Sequence, residues 1–220
     1  MNKDLDSNRS LCMWGGLAGA VGVVLLGLSF AINPGPPASP TTAELTKFVR
    51  DNYAKILWGA WLQAVGPFLI VLFAFSLVHL ARATQRLAGW MTFFGATILM
   101  TVSLVEITFY ISALHADSAV MPYISLVLIS AVQHLYFMIA APSLFFPLGL
   151  VLLGSAVLPR PFGHLALLLA GVFAVLGAAF MLRLTLPDYI TAFAAVQAIW
   201  WLAAAIALIA RRQTLSKAEA

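Results

Sequence analysis

The chain has 220 residues, of which 62% are hydrophobic and only 9% charged, and its mean hydropathy is +0.98. Soluble domains carry about 25% charged residues, so this composition excludes an ordinary soluble domain and makes lipid the solvent for most of the chain. The net charge of +4 and a pI near 9.5 do not indicate a nucleic-acid partner, because Lys and Arg stand at the ends of apolar runs and form no single patch.

In chain order, the first apolar run is Leu11 to Ile32. Lys3 and Arg9 precede it, and Ser29-Phe30-Ala31 resembles a small-residue cleavage site, so a cleaved signal peptide is one reading. The run is longer than a usual signal core. It also carries Gly15, Gly19 and Gly22 at spacings that let helices approach closely, which favours a retained span. Cys12 at its start is the single cysteine, so no intrachain disulfide exists, and a buried inert thiol is the expectation.

The segment Asn33-Pro34-Gly35-Pro36-Pro37-Ala38-Ser39-Pro40 cannot continue a helix, because proline removes donors and fixes φ. A helix start follows: Thr41-x-x-Glu44 has capping-box spacing. Leu45, Phe48, Val49, Tyr53, Ile56 and Leu57 then recur at helical intervals, with Lys47, Arg50, Asp51 and Lys55 between them. This predicts an amphipathic helix in the first outer loop that runs into the second span. A packing lid is its plainer role, and ligand gating the sharper one.

The second span is Ile56 to Leu80 and the third Leu87 to Leu114. The stretch from Pro122 to Leu158 would reach roughly 50 Å as one helix, against a hydrocarbon core of about 30 Å. The expectation is a single crossing from Gln133 to Leu158, kinked near Pro142 and Pro147, with Tyr123 to Ala131 along or above the outer interface. Two separate helices split at Pro142 are the alternative. The fifth span is Leu165 to Leu182 and the sixth Tyr189 to Ala210. With six spans, Lys3, Arg9, Arg82, Arg86, Arg160, Arg211, Arg212 and Lys217 fall on one side, which the positive-inside rule makes the cytoplasm. The fold expectation is therefore an all-α polytopic bundle of six transmembrane helices, one domain over residues 1–220, with both termini cytoplasmic.

Glu106 is the only carboxylate well inside a long apolar run. Intramembrane acids are costly, rare and usually functional, so Glu106 is the first candidate site residue. It lies about eight residues, roughly 12 Å, from the outer end of its span. Gln63 and Gln197 sit at similar depth in the second and sixth spans, and Gln133 and His134 near the outer end of the fourth. Ser103, Glu106 and Tyr110 share one helix face; so do Gly59, Gln63 and Gly66, and Gln197, Trp200 and Trp201; Ser130 and His134 are i, i+4. The polar stripes suit an interior site, and they equally suit plain interhelical hydrogen bonding. Trp58, Trp61 and Trp90 read as interfacial belt residues, and Arg183 and Asp188 as an outer ion pair. His79 and His164 adjoin the inner loops.

No metal, nucleotide or nucleophile motif is present in the sequence, and no cofactor is expected. Paired haem ligands are disfavoured: His115 reads as a loop residue, unmatched to His134. The expected function is an outer-half polar site for a small hydrophobic or amphiphilic molecule or lipid. Glu106 and His134 would serve as an acid–base pair, Gln63, Gln133 and Gln197 as polar partners, and Tyr110, Trp200 and Trp201 as walls. Two alternatives stand beside it: a structural or regulatory membrane subunit, and a proton-coupled transporter acting as a homo-oligomer.

The run Phe146-Pro147-Leu148-Gly149 to Leu158-Pro159-Arg160-Pro161-Phe162-Gly163, followed by an Ala/Leu/Gly-rich span, resembles a group of uncharacterised bacterial six-helix membrane proteins, a domain of unknown function. Those proteins also have a polar, partly helical outer loop after the first span. The resemblance implies a six-helix bundle in a bacterial inner membrane, and it carries no activity.

Overall fold

The computed structural model describes residues 2–33, 41–114, 120–182 and 187–217, and within them all side chains but those of 2–6, 130, 187–191 and 212–217. The described residues form helices and turns with no strand. The helices are α1 (Asn2–Ile32), α2 (Thr42–Asp51), α3 (Tyr53–Leu80), α4 (Leu87–Leu114), α5 (Val120–Leu135), α6 (Ala141–Leu153), α7 (Arg160–Met181) and α8 (Pro187–Lys217), with a π-helical turn at Tyr136–Ala140 between α5 and α6. Six stretches are long and apolar enough to cross a bilayer: Ser7–Ile32, Tyr53–Leu80, Leu87–Leu114, Val120–Leu153, Arg160–Met181 and Ala192–Arg211. The chain is an all-α, multi-pass membrane protein, and its two termini fall on the same side of the bundle.

The helices follow one another around a ring. α1 packs between α3 and α8; α4 packs on α3, then along α5 and α6; α7 packs on α6 and the π turn. The ring closes between α7 and α8, where contact is sparse. Small residues set the closest approaches. A Cβ on Gly22 of α1 would stand 2.8 Å from the Gly66 carbonyl of α3, and one on Gly66 would stand 3.0 Å from that of Gly22. Only glycine lets these two backbones meet, as small residues do where lipid supplies no hydrophobic drive between helices. Trp201, Phe73 and Phe145 fill the middle of the ring, with Trp201–Phe145 and Trp201–Phe73 centroids 5.1 and 5.9 Å apart. Cys12 is buried, as expected.

α2 forms the anticipated amphipathic helix. The Thr41 hydroxyl accepts from the Glu44 N–H, and Glu44 accepts from the Thr41 N–H at 2.8 Å. Leu45 and Val49 are buried, Lys47 and Arg50 exposed, and the helix rests mainly on α5 with lesser contact to α3 and α4. Asn52 alone separates α2 from α3. At the other side, α3 and α4 are joined by a tight turn that ends α3 in a Schellman pattern: Ala83 N–H donates to the Val78 carbonyl and Arg82 N–H to that of His79. Arg82 holds the left-handed position, φ 51°, that glycine usually occupies.

The fourth crossing departs from expectation. Its apolar helical run is Val120–Leu153, not Gln133 to Leu158, and residues 154–158 form a turn and bends. The irregularity lies before Pro142, at Tyr136–Ala140, where the Ala141 N–H donates to the Tyr136 carbonyl five residues back. Pro142 has no N–H for the Met138 carbonyl, and its ring would crowd that group in a regular α turn. Widening the turn removes the clash. Residues 120–135 continue this run and lie antiparallel to α4, with the Ser125 and Ser112 hydroxyls 3.3 Å apart. The proline-rich loop at 34–40, His115 and Arg183 lie outside the described residues, as do the side chains of Ser130 and Asp188.

Candidate functional site

Three helices deliver the centre of the polar network. Gly59, Gln63 and Gly66 form the buried face of α3, as the sequence spacing implies, and Ser103 and Glu106 are buried on α4. The Gln63 Nε2 donates to Glu106 Oε2 at 2.6 Å, and the Gln133 Nε2 of α5 donates to Glu106 Oε1 at 3.0 Å. Both carboxylate oxygens are thus met by neutral amides and not by a cation. Either amide can also turn and offer its oxygen to a protonated acid, so the site accommodates both protonation states.

Burial is uneven across the network. Gln63 is 4% and Glu106 9% exposed, whereas Gln133 belongs to an exposed position of α5. The polar chain therefore leads from the interior to the bundle surface, in the half of the bundle that carries α2.

Further polar pairs flank the acid. Tyr110, one face-turn on from Glu106, meets the side chain of Asn33 at the end of α1. Asn33 packs over Gly59, whose carbonyl accepts from the Ser29 hydroxyl at 3.1 Å. The Tyr136 hydroxyl in the π turn donates to Gln197 Oε1 of α8 at 2.5 Å. Tyr110 and Tyr136 both lie within electrostatic range of Glu106. Asn33 and Tyr136 were not singled out from sequence. Ser29 and Asn33 at i, i+4, and Gln133 and Tyr136 at i, i+3, are the spacings that point to them.

The structure brings Gln63, Gln133 and Tyr110 into this region and ties Gln197 to it through Tyr136. It places the other expected residues elsewhere. His134, one residue on from Gln133 and so about 100° further round the helix, presents its ring edge-on to Phe180 of α7, with centroids 4.8 Å apart. Trp200 and Trp201 are not walls of the Glu106 network. Trp200 donates its indole N–H to the Phe162 carbonyl near the start of α7 at 3.1 Å, and Trp201 packs on Phe145. Phe145 lies about 18 Å along the helical run from Gln133, toward the termini. Trp200 and Trp201 lie about 4.5–6 Å beyond Gln197 along α8, toward its C-terminal end.

Trp58, Trp61 and Trp90 are 61%, 53% and 60% exposed, within the first three turns of α3 and α4. Among the described residues no group of three or more His, Cys, Asp or Glu is placed to hold a metal ion. An open concavity of about 1000 Å³ is present at the opposite end of the bundle, beside the α6–α7 loop and not beside Glu106.

In comparisons with protein-family models, curated proteins and solved structures, the chain matches none.

Proposed function

We propose that the Glu106 network binds a small hydrophobic or amphiphilic molecule that enters from the bilayer in the half carrying α2. The observation that supports this most is the bond from buried Glu106 to exposed Gln133. A network that serves only to join helices gains nothing by reaching the surface. One that receives a ligand needs a polar group at the entrance and a fixed acceptor within. A ligand N–H or O–H would exchange with the Gln133 amide at Glu106 Oε1, while Gln63 keeps Oε2 in place. Ordinary lipid tails have no donor to offer, so the site discriminates by hydrogen bonding, not by shape alone. An isomerisation or cyclisation at this site would draw on Glu106 to move the proton.

The proposed setting is a bacterial inner membrane with both termini in the cytoplasm. The support is that Arg9, Arg82, Arg86, Arg160 and Arg211 all stand on the termini side.

The test compares wild type with Glu106→Gln, which keeps the volume and one acceptor. Protein purified in mild detergent is extracted, and non-protein small molecules are identified by mass spectrometry, with unfolding followed in parallel. The proposal expects an amphiphile that co-purifies with wild type and is lost from a folded Glu106→Gln. Identical extracts from both would refute it. A Glu106→Leu that is as stable or more stable, with nothing lost, would favour the structural or regulatory subunit. A pH-driven flux in liposomes that Glu106→Gln abolishes would favour the proton-coupled transporter.

A further inference from the structure

The Glu106 network is richer in acceptors than in donors. The carboxyl is bonded by the amides of Gln63 and Gln133, with the phenols of Tyr110 and Tyr136 within electrostatic range. All four of these groups are neutral, so none offsets an ionised carboxylate. The Lys and Arg side chains of the described residues stand in α2 or at the ends of the spans, and none is bonded to Glu106. A second acceptor lies at the α2 side of the same network. Asn33 reaches Tyr110 with its side chain, yet its Oδ1 is buried and meets no donor among the described residues. Tyr110 stands about 6 Å beyond Glu106 along α4, so Asn33 marks the outer edge of the polar region.

The acid itself limits what can fill this deficit. A neutral O–H donor is served by an amide carbonyl, which is cheaper to bury in lipid than a carboxylate. A carboxylate does better than an amide where the donor brings a positive charge. Of its two oxygens, Oε1 is the one open to exchange. Its bond to Gln133 is 3.0 Å long and comes from an exposed residue, whereas the Oε2 bond from buried Gln63 is 2.6 Å. An incoming ammonium would displace the Gln133 N–H, and the freed amide can turn its own oxygen to accept a second N–H. The resulting pair carries no net charge, which is how ionised groups are held at this depth.

We propose that the ligand of this site is a cationic amphiphile, a single-chain amine whose ammonium pairs with Glu106 Oε1 while its tail stays in the bilayer. The proposal rests on the reading of Glu106 as a ligand site and adds to it the charge and chemical class of the head.

The experiment measures binding of tritiated dodecylamine at neutral pH to the full chain in dodecyl maltoside, an uncharged detergent. Unlabelled dodecylamine and dodecanol compete with it, the alcohol keeping the chain and a donor but not the charge. Dodecanol is expected to compete at least about tenfold more weakly, the gap between a charge-assisted and a neutral hydrogen bond. Glu106→Gln should weaken dodecylamine at least about tenfold and, as a folded protein, change dodecanol by less than about twofold. Glu44→Gln removes the same charge from exposed α2, keeps a residue that completes the capping box, and should bind as wild type. Dodecanol that competes as well as dodecylamine, with both lost in Glu106→Gln, would overturn the amine and leave the ligand site standing. No saturable binding by wild type, or equal amine binding by wild type and Glu106→Gln, would overturn the proposal outright. A Glu44→Gln that loses as much as Glu106→Gln would reduce the effect to overall charge. Millimolar sodium that displaces dodecylamine where millimolar choline does not would assign Glu106 to a bare cation. Either of these last results overturns the proposal as well.

Discussion

One chemical change, glycine to alanine, should have opposite effects at two positions in the spans, and the structure predicts which. Inside a helix the change gains up to about 1 kcal/mol of intrinsic stability, so any loss must come from space. At Gly171 on α7 an added Cβ meets no atom within 4 Å. Gly171→Ala should therefore stabilise the protein by about 0.5–1 kcal/mol. At Gly95 on α4 a Cβ would stand 2.5 Å from the Ser143 carbonyl carbon and 2.7 Å from the Leu144 nitrogen of α6, closer still to the Ser143 oxygen. Non-bonded carbons settle at about 3.5–4.0 Å, so α4 and α6 must part by about 1 Å. Every obstacle is backbone, and no side chain can turn aside to make room. Overpacking costs about 1–3 kcal/mol, and a backbone clash belongs at the upper end, so after the helix gain Gly95→Ala should lose about 2 kcal/mol. Equilibrium unfolding in mixed micelles, followed by circular dichroism, measures both. A Gly95→Ala within about 0.5 kcal/mol of wild type, or a destabilised Gly171→Ala, would refute the packing argument. The same separation should stretch the 3.0 Å Gln133–Glu106 bond, since Gln133 and Ser143 belong to one helical run.

Three further outcomes follow from individual residues. A double-mutant cycle of Gln63→Leu and Glu106→Leu should give a coupling of about 1 kcal/mol, typical of a good interhelical hydrogen bond in a membrane; additive losses would mean the 2.6 Å contact contributes nothing. Arg82→Gly should stabilise the α3–α4 turn by about 0.5–1 kcal/mol by relieving the left-handed φ, whereas Arg82→Ala should not, as thermal unfolding of the pair will show. The Thr41 N–H, and then its hydroxyl, hold the Glu44 carboxyl below the usual carboxylate range. The contribution of Glu44 to α2 is therefore complete above its unfolded pKa and is lost as pH falls through the lower folded value. Amide exchange over residues 42–51, corrected for intrinsic rate, should rise in acid for wild type, and this acid-dependent rise should be absent in Glu44→Gln.

How much of this was legible in the sequence depends on the range over which each feature is determined. Six spans, the capping box at Thr41 and Glu44, and the single intramembrane acid follow from stretches of at most a few turns. Hydrophobicity over about 20 residues and a hydrogen bond across three are local properties, and no distant contact overrides them. The common faces of Gln63 with its flanking glycines, and of Ser103 with Glu106, were also legible, because helical spacing is fixed by geometry. The break in the fourth span was only half legible. Pro142 announced a disturbance, but whether it would kink the helix or widen the turn before it depends on what packs there. Gly177 of α7 presses on the Met138 backbone, where a Cβ would stand 2.7 Å from its Cα, and holds the widened turn against its neighbour.

The tertiary structure alone decided which polar groups meet. A span in lipid is apolar on nearly all sides, so its sequence does not say which face turns inward; that rotation is set by small residues and close packing against particular neighbours. Gln133 could thus be told from His134 as the partner of Glu106 only once α5 lay against α4. The gathering of Arg86, Arg160 and Arg211 at one loop, and the thin seam between α7 and α8, required the ring to be closed, because Arg86 and Arg211 are separated by more than half the chain.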